Sequence, residues 1–179
     1  ERICVENALM AGKSSAKVFN HVEVTNLKVE IDKITELTFF DKLSSKSFFV
    51  QGKQFINVSG PWVDKFCALT GKSLKRKIGG TKGTHIIINK FPGAPSHAIY
   101  APAKSDNRPF FIIPWNELIL IGTTDTHYEG DLDSVSASNS DISYLISEAN
   151  NLLMSYKLEK KDILYSYSGV RPLPYVSNT

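Results

Sequence analysis

Cysteine is nearly absent from this chain: Cys4 and Cys67 are the only two in 179 residues, and they lie far apart. Such spacing suits neither a zinc site nor a small disulfide scaffold, and free thiols in a reducing compartment are the default. No apolar run is long enough to span a bilayer, and no signal-peptide pattern opens the sequence. That leaves peripheral contact with a membrane open. There is no Walker loop, no zinc spacing and no Gly-x-Ser-x-Gly elbow, so nothing local points to a hydrolase. An excess of one charge is also missing. The 21 basic and 18 acidic side chains leave a net charge of +3, and the densest basic run, Lys72-Ser73-Leu74-Lys75-Arg76-Lys77, is short. A nucleic-acid partner calls for a denser basic face, and this run reads as a solvated loop.

What is present fits a globular protein. Apolar residues make up 42% and charged residues 22% of the chain, which argues against disorder, and the length admits one domain or parts of two. The chain opens at Glu1 inside a helical pattern and stops at Thr179 after a strand-like segment, so it reads as part of something longer.

Residues 2–19 place Val5, Ala8, Leu9, Gly12, Ala16 and Phe19 on one helical face. Alternation then predicts a meander with strands over 21–31, 34–41, 46–50 and 54–58 and turns at Asp32-Lys33 and 42–45. Ser59-Gly60 ends the last of these, and Pro61 suits the first position of a short helix. A strand–Ser-Gly–helix junction exposes backbone N–H groups and admits close approach of a ligand. Residues 70–80 read as a basic, glycine-bearing linker, Ile86-Ile87-Ile88 as a buried strand and 97–101 as a short one. Two apolar strands, 110–115 and 118–121, fold over Asn116-Glu117, and the second ends in Gly122-Thr123-Thr124-Asp125. An acidic, serine-rich loop leads to Ser138 and Asp141, spaced as a capping box, and to a helix over 139–156. A strand over 163–168 then runs into Gly169-Val170-Arg171-Pro172.

Two residues stand out chemically. His85 follows Lys82-Gly83-Thr84 at the mouth of the isoleucine strand, where an imidazole can serve as a base near neutral pH or as a satisfied strand-end histidine. Arg171 precedes a proline, which forces it into an extended conformation. A guanidinium on so stiff a stalk suits either a phosphate or carboxylate ligand or a structural acid.

Four stretches, in this order, resemble one family: Asn57-Val58-Ser59-Gly60-Pro61-Trp62-Val63-Asp64, Lys82-Gly83-Thr84-His85, Ile113-Pro114-Trp115 with Ile121-Gly122-Thr123-Thr124-Asp125, and Tyr167-Ser168-Gly169-Val170-Arg171-Pro172-Leu173. They are similar to segments of the FAD-dependent glycerol-3-phosphate dehydrogenases, in the D-amino-acid-oxidase-like flavoprotein group. Ser59 stands where the family has Ala and Thr84 where it has Ser, and the loop over 74–80 departs from the usual form. The family's Gly-x-Gly-x-x-Gly fingerprint would lie upstream of this chain, which would be the middle of the enzyme.

The resemblance implies a mixed α+β fold. Residues 1–70 would be part of a Rossmann-like FAD-binding domain, residues 71–162 an antiparallel-sheet substrate domain backed by helices, and residues 163–179 a strand returning toward the flavin. It implies FAD as cofactor, His85 and Arg171 as catalytic residues, and Arg171, Thr124 and Asp125 as substrate-binding or bracing residues. Ser59, Gly60 and Gly169 would approach the cofactor, with no metal involved. The activity implied is oxidation of glycerol 3-phosphate to dihydroxyacetone phosphate, with electrons passing to quinone. The setting implied is cytoplasmic, peripheral to the inner membrane surface, with a homodimer as one assembly and no nucleic acid. A glycerol-3-phosphate oxidase using oxygen, or a non-catalytic binding module of the same fold, are the alternatives.

Overall fold

In the computed structural model, which describes residues 2–176, the chain divides into two compact units, one built from Glu1–Val58 with Lys65–Leu74 and the other from Ser59–Asp64 with the residues from Lys75 onward. The architecture is mixed α+β, with antiparallel sheets and three α-helices among the described residues, α1 (Arg2–Lys13), α2 (Val63–Ala68) and α3 (Asn139–Leu152). None of these helices is long and apolar enough to cross a membrane.

The first unit holds α1 (Arg2–Lys13) and a meander of β1 (Val22–Glu30), β2 (Lys33–Asp41) and β3 (Lys46–Gln51), in that order. The helix ends earlier than its apolar periodicity predicts, because Ser15 takes a left-handed φ of 69°. The β1–β2 turn is Ile31-Asp32, one residue before the predicted pair; both have positive φ, the geometry that matches the twist of a two-residue hairpin. At the next turn the Asp41 carboxylate accepts bonds from the Leu43 N–H at 2.9 Å and the Ser44 hydroxyl at 2.6 Å. Phe19, Phe39 and Phe48 stack in a row, with centroids 6.2 and 5.7 Å apart. The strand predicted over 54–58 does not form. Its Ile56 and Val58 are each 84% exposed, and an apolar alternation becomes a strand only where a neighbour pairs with it and buries one face.

The second unit carries the larger sheet. Its strands are β4 (Ile78–Asn89), β5 (Ile99–Pro102), β6 (Pro109–Trp115), β7 (Leu118–Gly122), β8 (Thr126–His127) and β9 (Ile163–Pro174). The order is β5-β6-β7-β4-β8, and β9 pairs with β4. Strand β4 therefore takes in the last three residues of the predicted linker, 78–80, and the strand mouth around Lys82 and His85, while 70–77 form no strand. Asp64 fixes the start of that strand, its carboxylate accepting from the Lys77 and Ile78 N–H groups at 3.0 Å each. Of residues 163–179, expected to cross back toward a flavin domain, 177–179 lie outside the described residues, and β9 pairs with β4 from Ile78↔Pro174 to Ile88↔Ile163.

Period-two alternation sorts this sheet into two faces. Ile86 and Ile88 of β4, Phe110 and Ile112 of β6, and Ile119 and Ile121 of β7 are buried against α3 (Asn139–Leu152), through Ile142, Leu145 and Ala149. Burying each such side chain is worth about 1.5–3 kcal/mol. The hairpin turn is Asn116-Glu117 as predicted, with Asn116 at a φ of 54°.

Lys82 points to the same buried side. Its Nζ lies 2.6 Å from Asp141 Oδ2 and donates to the Ser136 carbonyl at 3.2 Å. Asp141 also completes the predicted capping box: its carboxylate accepts from the Ser138 N–H at 2.8 Å, and its own N–H donates to Ser138 Oγ at 3.1 Å. Burial opposes ionisation of Asp141, but the bonds from Lys82 and Ser138 outweigh it and hold the carboxyl below its usual 3.8. The stability gained is present above that value and is lost as pH falls through the lower, folded-state one. Replacing Asp141 by Ala strands a buried ammonium and is expected to cost about 3 kcal/mol in urea unfolding, whereas the paired Lys82→Met/Asp141→Leu variant loses far less. Equal losses in the two would show that the ion pair is not the cause.

Candidate functional site

The sheet face turned away from α3 carries the polar chemistry. His85 points there from β4, opposite Gly122 of β7 on one side and Tyr167 of β9 on the other. A Cβ on Gly122 would overlap the imidazole, so the ring lies over that glycine because it has no side chain. The Tyr167 ring stacks against the imidazole, with centroids 5.0 Å apart and planes within 11°. Arg171, on β9, folds back over Gly83, where a Cβ would overlap the guanidinium. Two glycines at strand positions thus make room for the two side chains that the sequence singles out.

Arg171 is held by a set of acceptors. Its Nη1 donates to Asp125 Oδ1 at 3.0 Å, and its Nη2 donates to Thr123 Oγ1 at 3.0 Å and to the Thr124 carbonyl at 3.2 Å. The polar end of the hairpin is therefore a socket for one guanidinium. Thr124 itself turns inward and is buried. Its hydroxyl accepts from the Thr84 N–H at 2.9 Å, and its N–H donates to the Thr84 carbonyl at 3.3 Å. It braces the socket rather than lining it. Asp125 remains partly exposed beside Arg171.

His85 is half-buried. Burial, and then the positive charge of Arg171, lower its pKa from 6.5, so the neutral imidazole dominates at pH 7. The structure gives this ring a stacking partner and a glycine floor, and no hydrogen bond to it is seen among the described residues. A neutral imidazole beside a fixed cation can accept a proton from a hydroxyl whose neighbouring anionic group pairs with that cation.

The residues expected to approach a cofactor are laid out differently. Gly169 pairs with Gly83 and is exposed, with open space where a Cβ would project. Gly60 has a φ of 57° and the same open space; it begins the tight turn Gly60–Trp62, which follows Ser59, packs against β9 and ties down through Trp62 Nε1 donating to Asp133 Oδ1 at 3.0 Å. These bare backbone positions on and beside β9 fit the close approach of a flat ring system. Among the described residues no cluster of three metal-ligating side chains occurs. An open cleft of about 490 Å³ near the C-terminal end of α3, lined by residues such as Met154 and Tyr156, contains none of the residues above.

Tyr167, Gly83 and Gly122 lay outside the predicted site. The glycines did carry a signal, since an isolated glycine within a strand pattern marks close approach of another group. Tyr167 opens one of the four family-like stretches, which gave it no role of its own.

One open sheet face thus presents a neutral imidazole and an anchored cation beside bare backbone that leaves room for a planar group. The family model described as DAO, FAD dependent oxidoreductase, matches residues 1–179, and the chain belongs to that family. It is 46% identical over 98% of its length to a glycerol-3-phosphate dehydrogenase of Synechocystis sp., covering 34% of that protein. It is 32% identical over 96% of its length to an alpha-glycerophosphate oxidase of Streptococcus pneumoniae, covering 29% of it. The structure superposes on the FAD complex of a glycerol-3-phosphate dehydrogenase from Bacillus halodurans with a TM-score of 0.80 and 29% identity, over 88% of this chain and 32% of that one. The chain spans about a third of the length of these relatives.

The site yields a titration test. In the full-length protein, the His85 ring signals followed by NMR are expected to titrate below 6.5, and Arg171→Met is expected to move them upward. A midpoint unchanged by that substitution would mean that Arg171 does not act on the imidazole.

Proposed function

We propose that this chain is the central part of a flavoprotein that oxidises sn-glycerol 3-phosphate to dihydroxyacetone phosphate. Residues 1–70 would contribute to its FAD-binding domain, 71–162 would form its substrate domain, and 163–179 would return toward the cofactor. The observation that carries the reading is the pairing, on one open face, of a neutral His85 with an Arg171 whose fork is fixed by Asp125 and Thr123. The names of the relatives supply the substrate class.

In this reading the guanidinium of Arg171 takes the phosphate dianion, which orients the glycerol carbons over the sheet. His85 accepts the proton of the C2 hydroxyl as the C2 hydride departs. FAD, when bound, supplies the acceptor for that hydride. Thr124 and Asp125 act behind Arg171, keeping its direction constant between turnovers. Ser59, Gly60 and Gly169 offer backbone to the cofactor. Electrons then pass to a membrane quinone, with the protein cytoplasmic and peripheral to the inner membrane. The similarity to alpha-glycerophosphate oxidases favours molecular oxygen as the second candidate acceptor, and peroxide release during aerobic turnover distinguishes it.

The test is steady-state kinetics of the full-length, FAD-loaded protein. His85→Ala is expected to lower kcat by about a hundredfold or more, and Arg171→Ala to lower kcat/KM by at least about a hundredfold, mostly through KM. Near-normal kcat/KM in either variant would remove that residue from the role assigned to it.

A further inference from the structure

Arg108 has no part in the chemistry above, and its setting in a polar loop gave no sequence signal. Its guanidinium nevertheless sits beside Asp125. Nη1 donates to the Asp125 carbonyl and lies 3.8 Å from Asp125 Oδ2. On its other side Nε lies 3.7 Å from Asp106 Oδ2, and the Arg108 N–H donates to Asp106 Oδ1 at 3.1 Å. Asp106 is fixed in turn by the Tyr144 hydroxyl of α3, which donates to Oδ1 at 3.1 Å. Burial and then this bond push Tyr144 up to about 12, so it stays a donor at any working pH. The outcome is an alternating row from the helix to the site: Tyr144, Asp106, Arg108, Asp125, Arg171.

We infer that Arg108 is a positioning residue for Arg171 and sets the affinity of the site for a phosphomonoester dianion. The inference rests on the functional reading given above. Asp125 gives Oδ1 to Arg171 while Oδ2 faces Arg108. Arg171 spends one Nη1 hydrogen on Asp125 and both Nη2 hydrogens on Thr123 and Thr124, which leaves its other Nη1 hydrogen and its Nε–H for a ligand. Without Arg108, Oδ2 loses its cationic neighbour. The carboxylate is then free to rotate into a two-bond pair with Arg171, the geometry that carboxylates and guanidinium groups prefer. That pair would draw an Nη2 hydrogen away from Thr123 or the Thr124 carbonyl, turn the guanidinium from its present direction and neutralise much of the charge meant for the substrate. The side chains of Arg108, Asp106 and Asp125 are 47%, 33% and 41% exposed, and ion pairs so open to water add only about 0–1 kcal/mol to stability. The row is thus too weakly stabilising to be explained as a fold-holding device, and its removal is expected to leave the protein folded.

The experiment compares wild type, Arg108→Ala, Arg108→Lys and the remote surface control Lys161→Ala in the full-length, FAD-loaded protein. Three quantities are read: KM and kcat for glycerol 3-phosphate, calorimetric affinity for inorganic phosphate, and flavin content with Tm. Arg108→Ala is expected to raise KM and the phosphate Kd about tenfold with kcat within about twofold, with flavin content and Tm unchanged and partial recovery in Arg108→Lys. Unchanged KM and phosphate affinity in Arg108→Ala, or loss of flavin and Tm together with kcat, would overturn the assignment. A wild type that binds phosphate in an Arg108-dependent way yet does not oxidise glycerol 3-phosphate would sink the functional reading and keep this one. A wild type that binds no phosphate would overturn it.

Discussion

The register of β4 against β7 and β9 is the constraint on which the second unit depends. Eleven pairs join β4 to β9 and five join it to β7, and both ladders fix the same side assignment. With period-two alternation, Thr84, Ile86 and Ile88 go to the helix while Gly83, His85 and Ile87 go to the other face. A slip of one residue would bury His85 under α3 and expose the isoleucines. The cost of that exchange, several buried isoleucines at once, keeps the imidazole where it is. The site is therefore fixed by the apolar core behind it.

Within that frame, space is made by absence. Gly122 and Gly83 lack the Cβ atoms that would overlap the His85 and Arg171 side chains, so both can lie close to the sheet. Electrostatics then follows from placement. A half-buried imidazole near a guanidinium stays neutral, and the guanidinium keeps its direction because Asp125, Thr123 and the Thr124 carbonyl hold it. The buried pair Lys82–Asp141 works on the opposite side of the same strand, joining β4 to the capped start of α3.

Much of this was legible in the sequence where local chemistry decides the outcome. The hairpin over Asn116-Glu117, the Ser138–Asp141 capping box and the isoleucine strand each follow from residues adjacent in the chain. His85 and Arg171 were legible as chemistry, one as an imidazole at a buried strand and the other as an arginine stiffened by proline. The errors lie where distant segments decide. Ile56 and Val58 alternate like a strand but meet no partner, and the end of the supposed linker, residues 78–80, is strand because β9, more than ninety residues later, pairs with it. Arg108 was invisible for the same reason, since only folding brings its loop to Asp125. The family motifs drew attention to Thr124 as a residue that lines or braces the site, and its hydroxyl accepts from the backbone of Thr84.

In the function proposed above, one open sheet face, with His85 and Arg171 on it, holds a phosphorylated polyol. A crystal structure of the full-length, FAD-loaded protein with dihydroxyacetone phosphate tests it most directly. The ligand's phosphate is expected in contact with the Arg171 guanidinium and its C2 oxygen facing the His85 ring, with Asp125 still bonded to Arg171 through one oxygen. A phosphate bound away from Arg171, with the ligand's carbonyl remote from His85, would contradict it.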